Sequence, residues 1–146
     1  MSASLLDVNV LIALIDPAHV HFHAAHEWFT SRKGHTWATC PITVNGCIRI
    51  LSQPGYAGRV LSCGEAASLL RERCRLSDHE FWPDDISLLD EARCGLSKVI
   101  GPRQITDIYL LALAVTHRGQ LVTFDRTIPW RAVAGASQAN LRILGG

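Results

Sequence analysis

An α/β sandwich around a mostly parallel sheet is the fold class that this sequence predicts. Three observations carry it. Apolar runs of strand length recur at Ser4–Leu6, Trp37–Cys40, Phe81–Trp82, Leu121–Phe124 and Leu141–Leu144. Longer stretches with apolar residues at helical spacing lie between most of them, so strands and helices alternate. Pro and Gly punctuate the joins, and no repeat, low-complexity tract or linker divides residues 1–146, which predicts one domain.

In chain order, the Ser4–Leu6 strand reaches Asp7, and VNVLIALI (Val8 to Ile15) reads as a helix stopped by Asp16-Pro17. A second helix fits Phe22 to Ser31, anchored by Trp28 and Phe29 and ended by Lys33-Gly34. After the WATC strand, Pro41 punctuates and Thr43 caps a helix that runs to Leu51. Gln53 to Tyr56 is a loop, and Cys63-Gly64 leads into an amphipathic helix from Glu65 to Arg75. Asp84 and Asp85 are placed to start a helix from Ile86 to Cys94, with Gly95 ending it. Thr106 caps the longest helix, Asp107 to His117, which Gly119 terminates before the LVTF strand and Asp125.

The composition sets limits on function. Apolar residues make up 48% of 146 residues and charged ones 18%, which is enough to build a core and rules out wholesale disorder. Fourteen basic residues against thirteen acidic ones give +1, which excludes gripping nucleic acid by bulk charge alone. A local basic rim around an acidic pocket stays open. No run approaches the roughly 20 apolar residues of a membrane span. Asp7 and Asn9 interrupt the apolar run Leu5 to Ile15, which has no basic leader or small-residue cleavage site, so no signal peptide is expected. Five cysteines with no CxxC pair argue against a disulfide framework or a cysteine zinc site, and a reducing, cytoplasmic location is expected.

The positions of three aspartates are more informative. Sites in open parallel sheets form outside the carboxyl ends of the strands. Asp7 and Asp125 each follow a strand, and Asp107 opens the longest helix, so three distant carboxylates are expected at one sheet edge. Capping accounts for any one of them singly. It gives no reason for all three to converge. Carboxylates held close repel one another unless a cation joins them, and hard oxygen ligands suit Mg²⁺ or Mn²⁺. Such an ion supports water attack on a phosphodiester, which makes phosphodiester hydrolysis the expected reaction. Two other phosphate chemistries fail on residues. A HAD-type phosphatase needs a second Asp where Asn9 stands. A receiver domain needs an acidic pair and a late Lys, and neither is in place.

LLDVNVLIALID at Leu5–Asp16, with TDIYLLALAVTHRGQLVTFDR at Thr106–Arg126, resembles the PIN domain, and within it the VapC-type toxins of bacterial type II toxin–antitoxin pairs. WATCPIT, RILSQP and FWPDDISLLD between them stand in the order that group shows. The resemblance implies a PIN-like three-layer α/β/α sandwich and a Mg²⁺- or Mn²⁺-dependent endoribonuclease that halts translation by cutting tRNA or rRNA. It also implies a cognate VapB-type antitoxin, a homodimer and a toxin–antitoxin hetero-oligomer. Asp7, Asp107 and Asp125 match the family's acidic metal positions, Asn9 its accompanying polar residue, and Thr123 the hydroxyl of its last strand motif. One position departs. The family's second acid, counted back from Arg49, falls on Val44, which cannot ligate a metal, and Asn45 next door lies about 100° around the helix. The competing reading is therefore a degenerate PIN module that binds RNA or an antitoxin without efficient cleavage.

Other conspicuous residues have plainer expectations. His19, His21, His23 and His26 lack helical ligand spacing and are expected to be solvated or capping. Arg71, Arg73 and Arg75 are expected on an exposed helix face. Arg49 and Arg126 suit either phosphate contact or a salt bridge to the site's own acids. Trp28, Trp37 and Trp82 are expected in the core, and Trp130 on the surface.

Overall fold

The computed structural model describes residues 3–32, 34–56, 60–76 and 78–145. Five strands, β1 (Ala3–Leu6), β2 (Thr36–Thr39), β3 (His79–Phe81), β4 (Gln120–Thr123) and β5 (Leu141–Ile143), form one parallel sheet in the order β3-β2-β1-β4-β5. The helices are α1 (Val8–Ile15), α2 (Phe22–Ser31), α3 (Pro41–Leu51), α4 (Cys63–Cys74) and α5 (Ile105–Thr116).

Strand alternation sends consecutive side chains to opposite faces, and both faces are covered. Leu5, Ala38 and Leu121 join α5 in one apolar cluster, whereas Leu6, Trp37 and Val122 join α1, α2, α3 and α4 in the other. The expected α/β/α sandwich results. Its chain order matters for function. From the central β1 the chain builds outward through β2 and β3, then crosses back to place β4 on β1's other side. The gap between the ends of β1 and β4 is therefore a topological switch point, where ligand crevices form in such sheets. Gly119, in the turn from α5 into β4, is packed so tightly that a Cβ there would collide with the Ala3 carbonyl.

Most expected elements are present, with shifted ends. α1 and α2 have the expected bounds, and β2, β3, β4 and β5 differ by one or two residues at their ends. The expected stop at Lys33 lies outside the described residues, whereas Gly34 takes a positive φ of 79°. Two caps are corrected. α3 begins at Pro41, and Thr43 sits inside it, where its Oγ1 accepts the Cys40 amide (3.0 Å) and donates to the Cys40 carbonyl (3.1 Å). α5 begins at Ile105, so Thr106 lies within its first turn rather than before it. α4 starts at Cys63 because Ser62 and Glu65 close a reciprocal capping box.

One expected helix is absent: residues 86–94 form turns and irregular chain instead. Local turns bond Asp90 to Ser87 and Cys94 to Asp90, and the chain at the segment's end bonds outward, with Ala134 N–H on the Arg93 carbonyl (2.8 Å) and the following Gly95 N–H on the Ala132 carbonyl (2.7 Å). Tertiary pairing thus replaces the helical ladder that Asp84 and Asp85 would have started.

Candidate active site

The site begins with β1. The Asp7 amide donates to the Val122 carbonyl (3.0 Å), carrying the β1–β4 pairing one residue past the strand. Asp7 then leaves the sheet as the N-cap of α1, its Oδ1 accepting from the Val8 amide at 2.7 Å. Its Oδ2 accepts from Thr123 Oγ1 at 2.8 Å. Thr123, fully buried at the end of β4, also accepts the Asp125 amide on the same Oγ1 at 3.1 Å. One hydroxyl thereby joins the two strand-end aspartates. Asp125 is fixed from the other side as well, its Oδ1 accepting from Thr127 N–H (2.8 Å) and Thr127 Oγ1 (2.7 Å).

Asp107 approaches from the α5 side. It sits in the first turn of α5, where free amides and the helix dipole favour negative charge. Its surroundings override that preference. Burial, then the Asp7 and Asp125 charges, push the Asp107 carboxyl up to about 7, and it shares a hydrogen bond with Asp125. Asp7 is raised too, chiefly by burial and in part by Asp125, although Thr123 and the Val8 amide pull it down. Asp125 is the low member of the group, held down first by its Thr127 hydrogen bonds. Carboxylates from the two ends of the sequence, Asp7 on one side and Asp107 and Asp125 on the other, thus interact at the switch point.

Among the described residues no three His, Cys, Asp or Glu side chains stand ready-made as a metal-ligand set. The donor chemistry nevertheless fits a hard divalent cation. All three groups offer carboxylate oxygen, and their mutual repulsion is what a cation between them would relieve. An ion such as Mg²⁺, which keeps several waters and binds one or two carboxylates, does not require a closed cage.

The remaining sequence candidates divide. Asn9 is exposed in the first turn of α1, one residue past Val8, and its side chain makes no hydrogen bond among the described residues. Val44 is half-buried and packs into the apolar cluster under α1 and α3. Arg49 and Arg126 are exposed and form no ion pair among the described residues, so the salt-bridge option is not taken by either. Arg73 corrects its expectation, being half-buried with its guanidinium donating to the Leu14 carbonyl (3.0 Å). Trp28, Trp37 and Trp82 are buried as expected; Trp130 is half-buried, with the Arg131 guanidinium 4.5 Å from its ring centre. His19 and His26 bond to backbone, matching the capping role. All five cysteines are free thiols. Sequence reasoning missed Thr127, whose signal was an Asp followed two residues later by Thr just after a strand, a pattern that closes an Asx turn.

Comparisons with known proteins bear on the family and the fold. The PIN domain family model matches residues 4–135. Ribonuclease VapC44 of Mycobacterium tuberculosis is 45% identical over 141 residues, covering 97% of this chain and 99% of the relative. Ribonuclease VapC39 of the same organism is 42% identical over 132 residues, covering 90% and 95%. The fold also matches a crystal structure of VapBC2 from Rickettsia felis bound to a DNA fragment from its promoter. That match has a TM-score of 0.64 at 17% identity and covers 98% of this chain and 99% of the other. The crystal structure of Mycobacterium tuberculosis VapC20, described as a Sarcin-Ricin loop cleaving toxin, matches with a TM-score of 0.62 at 12% identity, covering 91% and 98%.

Proposed function

The chain belongs to the PIN-domain family of VapC ribonucleases, and from that premise we propose a metal-dependent endoribonuclease whose site is Asp7, Asp107 and Asp125. The observation that carries the reading is the coupling of Asp107 to both strand-end aspartates at the switch point. Those three residues would hold Mg²⁺ or Mn²⁺, which when bound supplies charge neutralisation at the phosphodiester and a more acidic water. Thr123 keeps Asp7 and Asp125 in register, and Thr127 holds Asp125 ionised. Burial and the charges of Asp7 and Asp125 favour the protonated form of Asp107 in the metal-free protein, and a cation among the three would favour its carboxylate. Arg49 and Arg126, exposed and without an ion pair among the described residues, are the candidates for meeting RNA phosphates, and Asn9 is the candidate for orienting substrate. The protein acts as the toxin of a VapBC-type pair, inhibiting translation by cutting tRNA or rRNA, with a VapB-type antitoxin as partner and a homodimer in a toxin–antitoxin complex. A cytoplasmic location is part of the same proposal. No helix among the described residues is long and apolar enough to cross a membrane.

Total tRNA and rRNA incubated with Mg²⁺ or Mn²⁺ provide the test, with Asp7→Ala and Asp107→Ala as controls. Cleavage by the wild type alone supports the proposal; equal cleavage by all three proteins sinks it. Val44 favours a second reading, because position 44 offers apolar packing where the family has an acid. No cleavage of any RNA by a chain that still binds its antitoxin would support that non-cleaving module.

The two readings also diverge on Val44→Glu. α3 runs close to α1 here, since a Cβ at Gly46 would lie 2.8 Å from Val8, the residue after Asp7. A fourth carboxylate at position 44 is expected to lower the metal concentration for half-maximal cleavage about tenfold, the effect of roughly 1.4 kcal/mol in binding. Metal titration of cleavage by both proteins measures it. An unchanged titration would show that position 44 does not serve the metal.

A further inference from the structure

A cleft on the α2 side of the sheet, between α2 and the edge strand β5, has a lining that the carboxylate site does not explain. Two adjoining cavities, of about 640 and about 210 Å³, share Trp28, Ser31 and Arg142 and so form one furrow. The smaller cavity lies near the starts of β1 and β4, among Ser4, Arg32, His35 and Gln120, and has no carboxylate in its lining. The larger one carries His23 and Glu27 and ends at Gly145. A Cβ at Gly145 would lie 3.5 Å from the ring of Phe124, the residue before Asp125. The Gly145 end of the furrow thus lies beside the residue that precedes Asp125.

The two arginines of the furrow are paired differently. Arg142 is exposed on β5, and its side chain makes no hydrogen bond or ion pair among the described residues. Arg32 has a side chain only 10% exposed, although one of its amino groups reaches Asp78 at 3.2 Å. The same amino group donates to the His35 carbonyl (2.8 Å), the guanidinium lies 3.9 Å from the Phe29 ring centre, and its Nε is buried, so Arg32 is committed to the fold. Guanidinium forks match phosphate oxygens, and exposed Arg142 can offer such a fork. The Ser31 hydroxyl is committed to the Trp28 carbonyl (2.8 Å), and Gln120 donates to Ser4 (2.9 Å), which leaves Arg142 as the exposed arginine of the lining.

Arg142 stands in register with Val122, three residues before Asp125, or about 10 Å along a strand. Resting on the ribonuclease reading, we propose that the α2–β5 cleft binds phosphate groups of the RNA backbone to one side of the scissile bond, with Arg142 as the contact. Trp28 forms the wall of the track, and Glu27 limits the contact to its Arg142 end.

Equilibrium binding of a fluorescent 15-nucleotide single-stranded RNA in EDTA tests this without cleavage, so failure of the nuclease reading leaves it interpretable. Arg142→Ala is expected to weaken binding about fivefold and to lower the salt-dependence slope by about one. Arg142→Lys should recover part of the loss. Arg75→Ala, which removes an exposed charge at the end of α4, controls for net charge and should change affinity less than twofold. Pyrophosphate is the second probe and should compete with RNA on the wild type but not on Arg142→Ala. If Arg142→Ala impairs pyrophosphate binding while RNA binding is unchanged, the cleft takes free anions and the backbone assignment fails. If neither probe distinguishes Arg142→Ala from Arg75→Ala, the site itself is refuted.

Discussion

Asp107→Asn is expected to lower metal-dependent RNA cleavage by about two to three orders of magnitude while making the metal-free protein more stable at neutral pH. Both effects share a cause. Burial and the charges of Asp7 and Asp125 raise the folded-state Asp107 carboxyl from 3.8 to about 7. Below about pH 4 the group is protonated in both folded and unfolded chains and costs nothing. As pH rises from about 4 towards 7, the unfolded chain gives up this proton more readily, so Asp107 withdraws stability over that window. Asp7, raised in the same direction, adds to the loss, and Asp125, which is lowered, offsets part of it. The Asn variant keeps the shape and loses the repulsion. Its gain at pH 7.5 should be about 1–2 kcal/mol once solvent screening of a half-buried group is allowed for. Urea denaturation in EDTA from pH 4.5 to 8 measures the difference, and repeating it with Mg²⁺ should stabilise the wild type but hardly the variant. A variant no more stable than wild type at pH 7.5, with the same response to Mg²⁺, would mean that the three acids do not form one charged unit.

Thr123→Val is the second large effect. The substitution keeps the volume of a fully buried residue and removes only the hydroxyl. Two contacts vanish with it: the donor to Asp7 Oδ2 and the acceptor for the Asp125 amide. A buried carboxylate oxygen then lacks a partner, at a cost of about 1–3 kcal/mol. Asp7 also loses the strongest influence holding its proton affinity down, so it should ionise at higher pH. Cleavage is expected to fall about ten- to a hundredfold, in line with the loss of a group that orients metal ligands. Two readouts separate positioning from general damage. The pH dependence of metal binding should shift upward, and Thr123→Ser, which restores the hydroxyl, should recover most of the activity. Recovery by Ser no better than by Val would leave Thr123 as packing alone.

Much of this molecule was legible in the sequence because local rules and tertiary needs agreed. α1 and α2 have the bounds that their apolar spacing and the Asp16-Pro17 stop imply, and the strands sit within a residue or two of the apolar runs. Residues 86–94 show where agreement ended. Asp84, Asp85 and the apolar residues after them are as compatible with a helix as with a chain whose Ile86 and Leu88 pack singly onto the α5 side of the sheet. Hydrogen bonds to residues 132 and 134 chose the second, and the sequence around residue 90 carries no mark of a partner forty residues away. Arg73 failed as a surface residue for a related reason: the Leu14 carbonyl that draws its guanidinium inward belongs to another helix.

The candidate site divides along the same line. By itself, the sequence determined which aspartates follow a strand and which one stands at the start of a helix, because a residue's place at a strand end or in a first helical turn follows from local apolar runs and caps. Their chemistry was decided only by the tertiary structure. Parallel pairing of β1 with β4 brings Thr123 between Asp7 and Asp125, and the packing of α5 brings Asp107 close enough for its carboxyl to be raised. Charge repulsion and desolvation depend on distance and burial through space, and neither quantity is set by separation along the chain.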